Sequence, residues 1–220
     1  MHVVVNAAAS VDGKLSNRRR EQVEISGDED FARVDRVRAE NDAVLVGVGT
    51  VLADDPHLTV DGQSLRATRQ ADGRPANPAR VVADSRGRTP TDARILDGAA
   101  DTYVLVSEAA PENRIEALES AGATVVVAGA DRVSFSEAFE SLETCGVESV
   151  MVEGGGEVIF SLFEEGVADE LRVYVGSIVI GGRDAPTLAD GEGFVEEFPT
   201  LSLREVERLD DGVLLSYDVA

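Results

Sequence analysis

Short apolar runs alternate with helix-like segments along most of this chain, and that order predicts an α/β fold with a mixed, mostly parallel central sheet flanked by helices. Three observations carry the expectation. The apolar runs are brief and valine-rich, as strands covered on both faces are. The stretches between them open on helix start signals such as Ser26-Gly27-Asp28-Glu29 and Ser134-Phe135-Ser136-Glu137. The last two runs, Leu201–Leu209 and Val213–Val219, flank Asp210-Asp211-Gly212, so an antiparallel hairpin closes the chain.

Taken in order, Val3–Ala7 reads as a strand. A helix follows from Ser26 to about Glu40, with acids on its positive end and Phe31, Val34 and Val37 facing inward. Ala43–Val48 is a strand that breaks into Gly47 and Gly49. The stretch 61–78 holds Gly62, Gly73, Pro75 and Pro78 and reads as a surface-loop insertion. Arg80–Ala83, Tyr103–Val106 and Thr124–Ala128 are strands, with a helix near Pro111–Ala121 between the last two. A capping box opens the helix after Ser134. Ser149–Val152 is a strand, Gly156–Glu165 a helix, and Glu170–Ile180 a longer, partly alternating strand.

With 220 residues the chain is most simply one domain, 1–220, large enough to bury a real core. Forty-two acids face twenty bases, a formal net charge of −22, and Lys14 is the sole lysine. Nucleic acid and anionic membranes are excluded as partners by that sign. The acids are spread between apolar runs rather than gathered in a tail, as in a protein adapted to very high salt, where the screening length falls to roughly 3 Å at 1 M. The single Cys145 excludes an internal disulfide and a cysteine zinc site, and it reads as a small core residue near a helix end. His2 and His57 make no ligand spacing with nearby acids, so no metal is expected. Neither a membrane span nor a basic leader is visible, and a cytoplasmic location is expected.

Two glycine-bearing strand ends point to chemistry. Gly47-Val48-Gly49 lacks the third glycine of a dinucleotide fingerprint, and by itself a tight strand-to-helix turn accounts for it. Asp54-Asp55-Pro56 is equally compatible with a plain turn. Glu153-Gly154-Gly155-Gly156 says more, because three glycines cost backbone entropy. A pyrophosphate drawn close to a helix N-terminus would require them. Asp84-Ser85-Arg86 offers a hydroxyl and a guanidinium past another strand, suited either to phosphate or to a solvated loop. Lys14, beside the turn Asp12-Gly13, is either a chance survivor or a functional cation. Arg38 lies on the polar side of its helix, where a surface ion pair would also explain it.

Together these segments resemble the reductase family of riboflavin biosynthesis. The matching stretches are Ala9–Lys14, Thr50–Val60, Arg80–Arg86, Val152–Gly156 and Asp169–Tyr174. Gly181–Gly193 is similar to the stand-alone archaeal branch in particular. The resemblance implies a dihydrofolate-reductase-like fold, a homodimer and NADPH as hydride donor. It implies reduction of the ribosyl group of 2,5-diamino-6-(ribosylamino)-4(3H)-pyrimidinone 5′-phosphate to ribityl. No deaminase domain is expected in this chain. By matching position Thr50, Asp54, Ser85 and Arg86 would contact NADPH. Backbone N–H groups of Gly155, Gly156, Glu157 and Val158 would hold its pyrophosphate. Arg38, Leu58, Ser85 and Glu153 would contact substrate, and Lys14 and Glu153 are the candidate catalytic residues. An arginine of many relatives is Asp61 here, with Arg66 or Arg69 as substitutes. A pterin- or folate-type reductase and a non-catalytic NADPH sensor are the competing readings.

Overall fold

The computed structural model describes residues 1–220. Its strands are β1 (His2–Ser10), β2 (Ala43–Gly47), β3 (Ala79–Ala83), β4 (Thr102–Val106), β5 (Thr124–Val127), β6 (Ser149–Gly154), β7 (Glu170–Gly176), β8 (Leu201–Leu209) and β9 (Gly212–Val219). The helices are α1 (Asp28–Glu40), α2 (Val48–Asp54), α3 (Gln63–Ala71), α4 (Glu112–Ser120), α5 (Phe135–Thr144) and α6 (Gly156–Glu164). One nine-stranded sheet runs in the order β5-β4-β3-β2-β6-β1-β7-β9-β8. The pairs β2–β3, β3–β4, β4–β5 and β1–β7 are parallel, whereas β7–β9 and β8–β9 are antiparallel. The expected mixed sheet and closing hairpin are both present. Backbone contacts divide the chain into two compact units, one of Met1 and residues 35–151, the other of residues 2–34 and 152–220.

In the first unit, the strands β2, β3 and β4 are near-continuous apolar runs because both their faces are covered. All five residues of β2 are buried. Val44, Val46 and Val82 pack with Val48 and Val51 of α2, and with Leu58, Ala93 and Ile95. A second cluster joins Val104 and Val106 to Leu118 of α4 and Ala123. Burying each such side chain contributes roughly 1.5–3 kcal/mol. Ser134 caps α5 by accepting from the Glu137 N–H. The Glu137 carboxylate also accepts from the Gly129 N–H at 2.9 Å.

The stretch after Gly62 differs from the loop expected there, since Gln63–Ala71 is helical. Its glycines are punctuation: Gly62 is the N-cap, and Gly73, at φ +79, takes the left-handed turn just past the end. The inward side of α3 is carried by an arginine, not by an apolar stripe. Arg69 is buried, and its guanidinium donates to the carbonyls of Ala39, Asn41 and Pro75 at 2.8, 2.7 and 2.9 Å. Burial, with Arg74 nearby, pushes its pKa down. With its donors so engaged, Arg69 is not available to grip a phosphate, and Arg66 donates to the Val60 carbonyl.

In the second unit, β1 and β7 run parallel and β9 continues antiparallel, with Tyr174, Leu214 and Ser216 buried. Helix α1 corrects the sequence reading. Phe31 is 52% exposed, while Asp30 and Arg33 are buried. Arg33 Nε and Nη2 reach Asp30 Oδ1 at 2.8 and 2.7 Å, so a charge pair one turn apart occupies the inward face. Asp210 accepts from the N–H groups of Glu29 and Asp30 and so ties the first turn of α1 to the hairpin turn. Cys145 likewise departs from expectation: it is exposed at the C-cap of α5, in the first unit.

Arg69→Ala leaves three carbonyls without their donor. We expect a loss of about 3–5 kcal/mol in denaturant unfolding at high salt, against less than about 0.5 kcal/mol for the exposed Arg36→Ala.

Candidate active site

Strand ends in a parallel sheet leave backbone groups unpaired, and ligands bind beyond the carboxyl ends for that reason. In the first unit Gly47 pairs with Ala83, so the loops after β2 and β3 leave the sheet side by side. Thr50 and Asp54 lie on α2, which starts directly at Val48. Gly49 is exposed on its first turn, and a Cβ added there would meet nothing within 4 Å. Desolvation raises the pKa of the Asp54 carboxyl. Asp55 and Leu58 follow with φ of +41 and +52. Left-handed backbone at two non-glycine residues costs of order 1–3 kcal/mol each and gathers at functional loops. Leu58 is buried in the apolar cluster under β2, so its side chain anchors this loop from below.

The loop after β3 is held by Asp84, whose buried Oδ2 accepts from the Thr89 N–H at 2.7 Å and the Thr89 hydroxyl at 2.8 Å. Ser85, half-buried, accepts from the Val133 N–H through its hydroxyl, whose own proton remains for a further acceptor. Arg86 is exposed, with one donor on the Ala109 carbonyl at 3.0 Å. Arg38 donates to the Thr59 carbonyl at 3.0 Å. Asp61 lies where Asp35 accepts from its N–H and from that of Gly62, at 2.7 and 2.8 Å. That corner therefore carries two carboxylates, with Arg38 and Arg66 bonded to the neighbouring carbonyls of Thr59 and Val60.

In the second unit, Glu153 is half-buried at the end of β6, and the chain then turns sharply into α6. Gly154 and Gly155 adopt φ of +153 and +92, which only glycine does readily. Gly155 is the N-cap and offers no side chain to the first-turn N–H groups of Gly156, Glu157 and Val158. Gly156 answers to a different demand. A Cβ there would lie 2.5 Å from the Thr187 carbonyl oxygen, so it is glycine because residues 187–190 pack on the turn. Asp190 donates its N–H to the Gly156 carbonyl at 2.9 Å, and its carboxylate accepts from the Thr187 N–H at 3.0 Å. Glu157 is exposed in the first turn and Val158 is buried.

Lys14 reaches the same segment. Its Nζ donates to the Ala185 carbonyl at 3.1 Å and its backbone bridges Thr187, which brings the ammonium's strand into the neighbourhood of the α6 turn. Two ammonium donors remain after that bond. The turn before it is built by Ser10 and Asp12: the Ser10 hydroxyl accepts from the Lys14 N–H at 2.9 Å and donates to Asp12 at 2.7 Å. Asp12 also accepts from the N–H groups of Ile180 and Gly181. The Ser10 hydroxyl first, and the Ile180 amide next, hold its carboxyl at about 2. Asp12, Thr187 and Asp190 were not singled out as site residues from sequence. Their signal was only the short Ser-x-Asp-Gly turn and the Gly181–Gly193 stretch.

The structure thus gathers Thr50, Asp54 and Ser85 at adjoining strand ends in one unit. It gathers Lys14 and Gly155–Val158 around residues 185–190 in the other. An uncapped helix N-terminus behind two left-handed glycines fits a pyrophosphate, which needs free N–H groups and no Cβ in the way.

Residues 1–215 match the family model described as the RibD C-terminal domain. The chain is 50% identical over 211 residues to the 2,5-diamino-6-ribosylamino-4(3H)-pyrimidinone 5′-phosphate reductase of Archaeoglobus fulgidus, covering 96% of this chain and 94% of that one. It is 42% identical to the enzyme of the same name from Methanothermobacter thermautotrophicus, covering 99% and 98%. Among solved structures, a diaminohydroxyphosphoribosylaminopyrimidine deaminase/5-amino-6-(5-phosphoribosylamino)uracil reductase from Thermotoga maritima superposes with TM-score 0.77 at 26% identity, over 100% of this chain and 56% of that one. By class, then, this protein is an oxidoreductase. The chain belongs to the RibD C-terminal domain family.

Asp12 is depressed in the fold, so its ties stabilise above the ordinary carboxylate pKa of about 4 and are lost as pH falls towards 2. The protection of the Ile180 and Gly181 amides, measured against the exchange of an unstructured peptide at the same pH, is expected to fall between pH 4 and 2 in wild type. In Asp12→Asn it is low throughout.

Proposed function

We propose that this protein reduces the ribosyl group of 2,5-diamino-6-(ribosylamino)-4(3H)-pyrimidinone 5′-phosphate to ribityl, using NADPH, as a step of riboflavin biosynthesis. The observation that carries the reading is the turn from β6 into α6, where glycine backbone and uncapped N–H groups meet a segment bonded to Lys14. Near-complete mutual coverage with a reductase of that name supports the substrate.

NADPH supplies the hydride. The residues of this chain supply placement, which can contribute about 7–11 kcal/mol of a barrier when two reactants are held in line. Gly155, Gly156, Glu157 and Val158 direct backbone N–H groups at the pyrophosphate. Thr50 and Asp54 of α2 are NADPH contacts of the first unit, with the open surface at Gly49 admitting a ligand closely. Ser85 and Arg86 present a hydroxyl and a guanidinium to ribose or phosphate oxygens. Arg38 and Glu153 contact substrate, Arg38 towards the phosphate, and Leu58, whose side chain is buried in the core, can do so only through its backbone. Lys14 holds a proton that can pass to the sugar ring oxygen as the ring opens. A homodimer, a cytoplasmic setting and adaptation to high salt complete the proposal. The last rests on the −22 charge and the single lysine.

Three measurements test it. NADPH absorbance should fall on addition of the ribosylaminopyrimidine phosphate and not of dihydrofolate. Lys14→Ala should cut kcat by about 10²–10⁴, with the melting temperature unchanged; full turnover by that variant removes Lys14 from the chemistry. Because both ligands are anions, NADPH affinity should rise from low to molar salt while the protein stays folded. A fall over that range contradicts the charge argument.

A further inference from the structure

Three consecutive arginines, Arg18-Arg19-Arg20, stand in a chain with more than two acids for every base. Most arginines here are spent on carboxylates or carbonyls. These three and Arg183 are not: none of them enters an ion pair or a side-chain hydrogen bond. The loop that carries them is nonetheless built. Asn17 Oδ1 accepts from the N–H groups of Arg19 and Glu21 at 2.8 and 3.2 Å, and its amide ties off the Glu21 carboxylate at 2.8 Å. Arg20 closes the turn at φ +62. Facing it is Gly181-Gly182, at φ +67 and +90. A Cβ on Gly182 would come 3.5 Å from Arg18 Cβ, so the two segments are in contact, and Arg183 follows directly.

Between them lies a cavity of about 370 Å³ lined by Arg18, Arg19, Gly181 and Gly182, with Asn17 and Glu21 at its rim. That is the small end of ligand-site volumes. The N–H groups of Ile180 and Gly181 at its wall are taken by the Asp12 carboxylate, so the positive charge in the cavity comes from the arginine side chains. The Glu21 carboxylate is held by the Asn17 amide and Asp12 by the Ile180 and Gly181 amides, while Arg18 and Arg19, with Arg20 next in sequence and Arg183 following Gly182, carry no such partner.

We propose that this cavity binds a phosphate monoester of a reaction partner, with Arg18 and Arg19 as its charged ligands. Such a group carries about −1.5 to −2 charge and three acceptor oxygens, which paired guanidinium forks match. The shared chemistry leaves two sources, the 5′-phosphate of the sugar substrate, which the cavity would take in place of Arg38, and the 2′-phosphate of the cofactor, in place of Ser85 and Arg86. Assigning the source rests on the reductase reading; phosphate binding by the cavity does not.

The test is a titration of the full chain with inorganic phosphate at constant ionic strength, read by amide and guanidinium NMR. Saturable shifts centred on Gly181, Gly182, Arg18 and Arg19 are expected. Arg18→Glu/Arg19→Glu should weaken that binding about tenfold or more, as Arg18→Gln/Arg19→Gln should to a smaller degree, with unchanged circular dichroism. Arg132→Glu/Arg208→Glu should leave it alone. Absence of saturable shifts, or equal losses in the remote pair, overturns the site. In turnover, a rise in KM for the ribosylaminopyrimidine phosphate alone assigns the cavity to substrate, and a rise for NADPH alone assigns it to the cofactor. No rise in either overturns its role in the reaction. Phosphate binding without any turnover counts against the reductase reading and leaves the anion site standing.

Discussion

Aspartate carboxylates that accept backbone N–H groups hold this structure's connections in place. Parallel strands force long returns, and those returns leave amides that the sheet cannot pair. Asp12 takes those of Ile180 and Gly181, Asp35 those of Asp61 and Gly62, and Asp42 those of Glu148 and Ser149. Asp84 serves Thr89, Asp169 serves Val3, and Asp210 serves Glu29 and Asp30. Charge-assisted bonds of this kind are short and about twice as strong as neutral ones. A chain of net charge −22 has thus placed part of its acid excess where it orders loops instead of only repelling itself.

The same device bears on function. The loops so tied are the ones that carry Ser85, Lys14 and the segment packed on the α6 turn. A reductase that works by placement needs those loops rigid before its ligands arrive, because each ångström of slack erodes the gain from proximity. The cation counterpart is Arg69, which binds three carbonyls from inside α3.

Much of this was legible in the sequence because strands, helix starts and the hairpin follow local rules. Every strand expected is present, although the one expected over Glu170–Ile180 stops at Gly176, and Ser134 caps α5 as its spacing indicates. What was hidden depended on partners distant in sequence. Nothing near Arg69 announces that it will be buried under Ala39 and Asn41, so α3 looked like loop. Nothing near Phe31 says that Asp30 and Arg33 will turn inward as a pair. The three glycines after Glu153 were readable as a ligand cradle, yet Gly156 is glycine because Thr187 lies against it. The candidate site was legible as a set of strand ends. The roles of Asp12 and Asp190 depended on contacts spanning the chain or packing on a turn.

The closing hairpin has a consequence of its own. Eight of the nine residues of β8 are exposed, and the strand ends the sheet with an unpaired edge. Leu201, Leu203 and Val206 lie open on it, interrupted by Arg204, Glu205, Glu207 and Arg208. Alternating charge of this sort discourages strand addition by a neighbour. Near the isoelectric point of about 4.3 the chain's mutual repulsion vanishes and acidic guards begin to protonate. The outermost strand is then the place where one molecule would begin to template another.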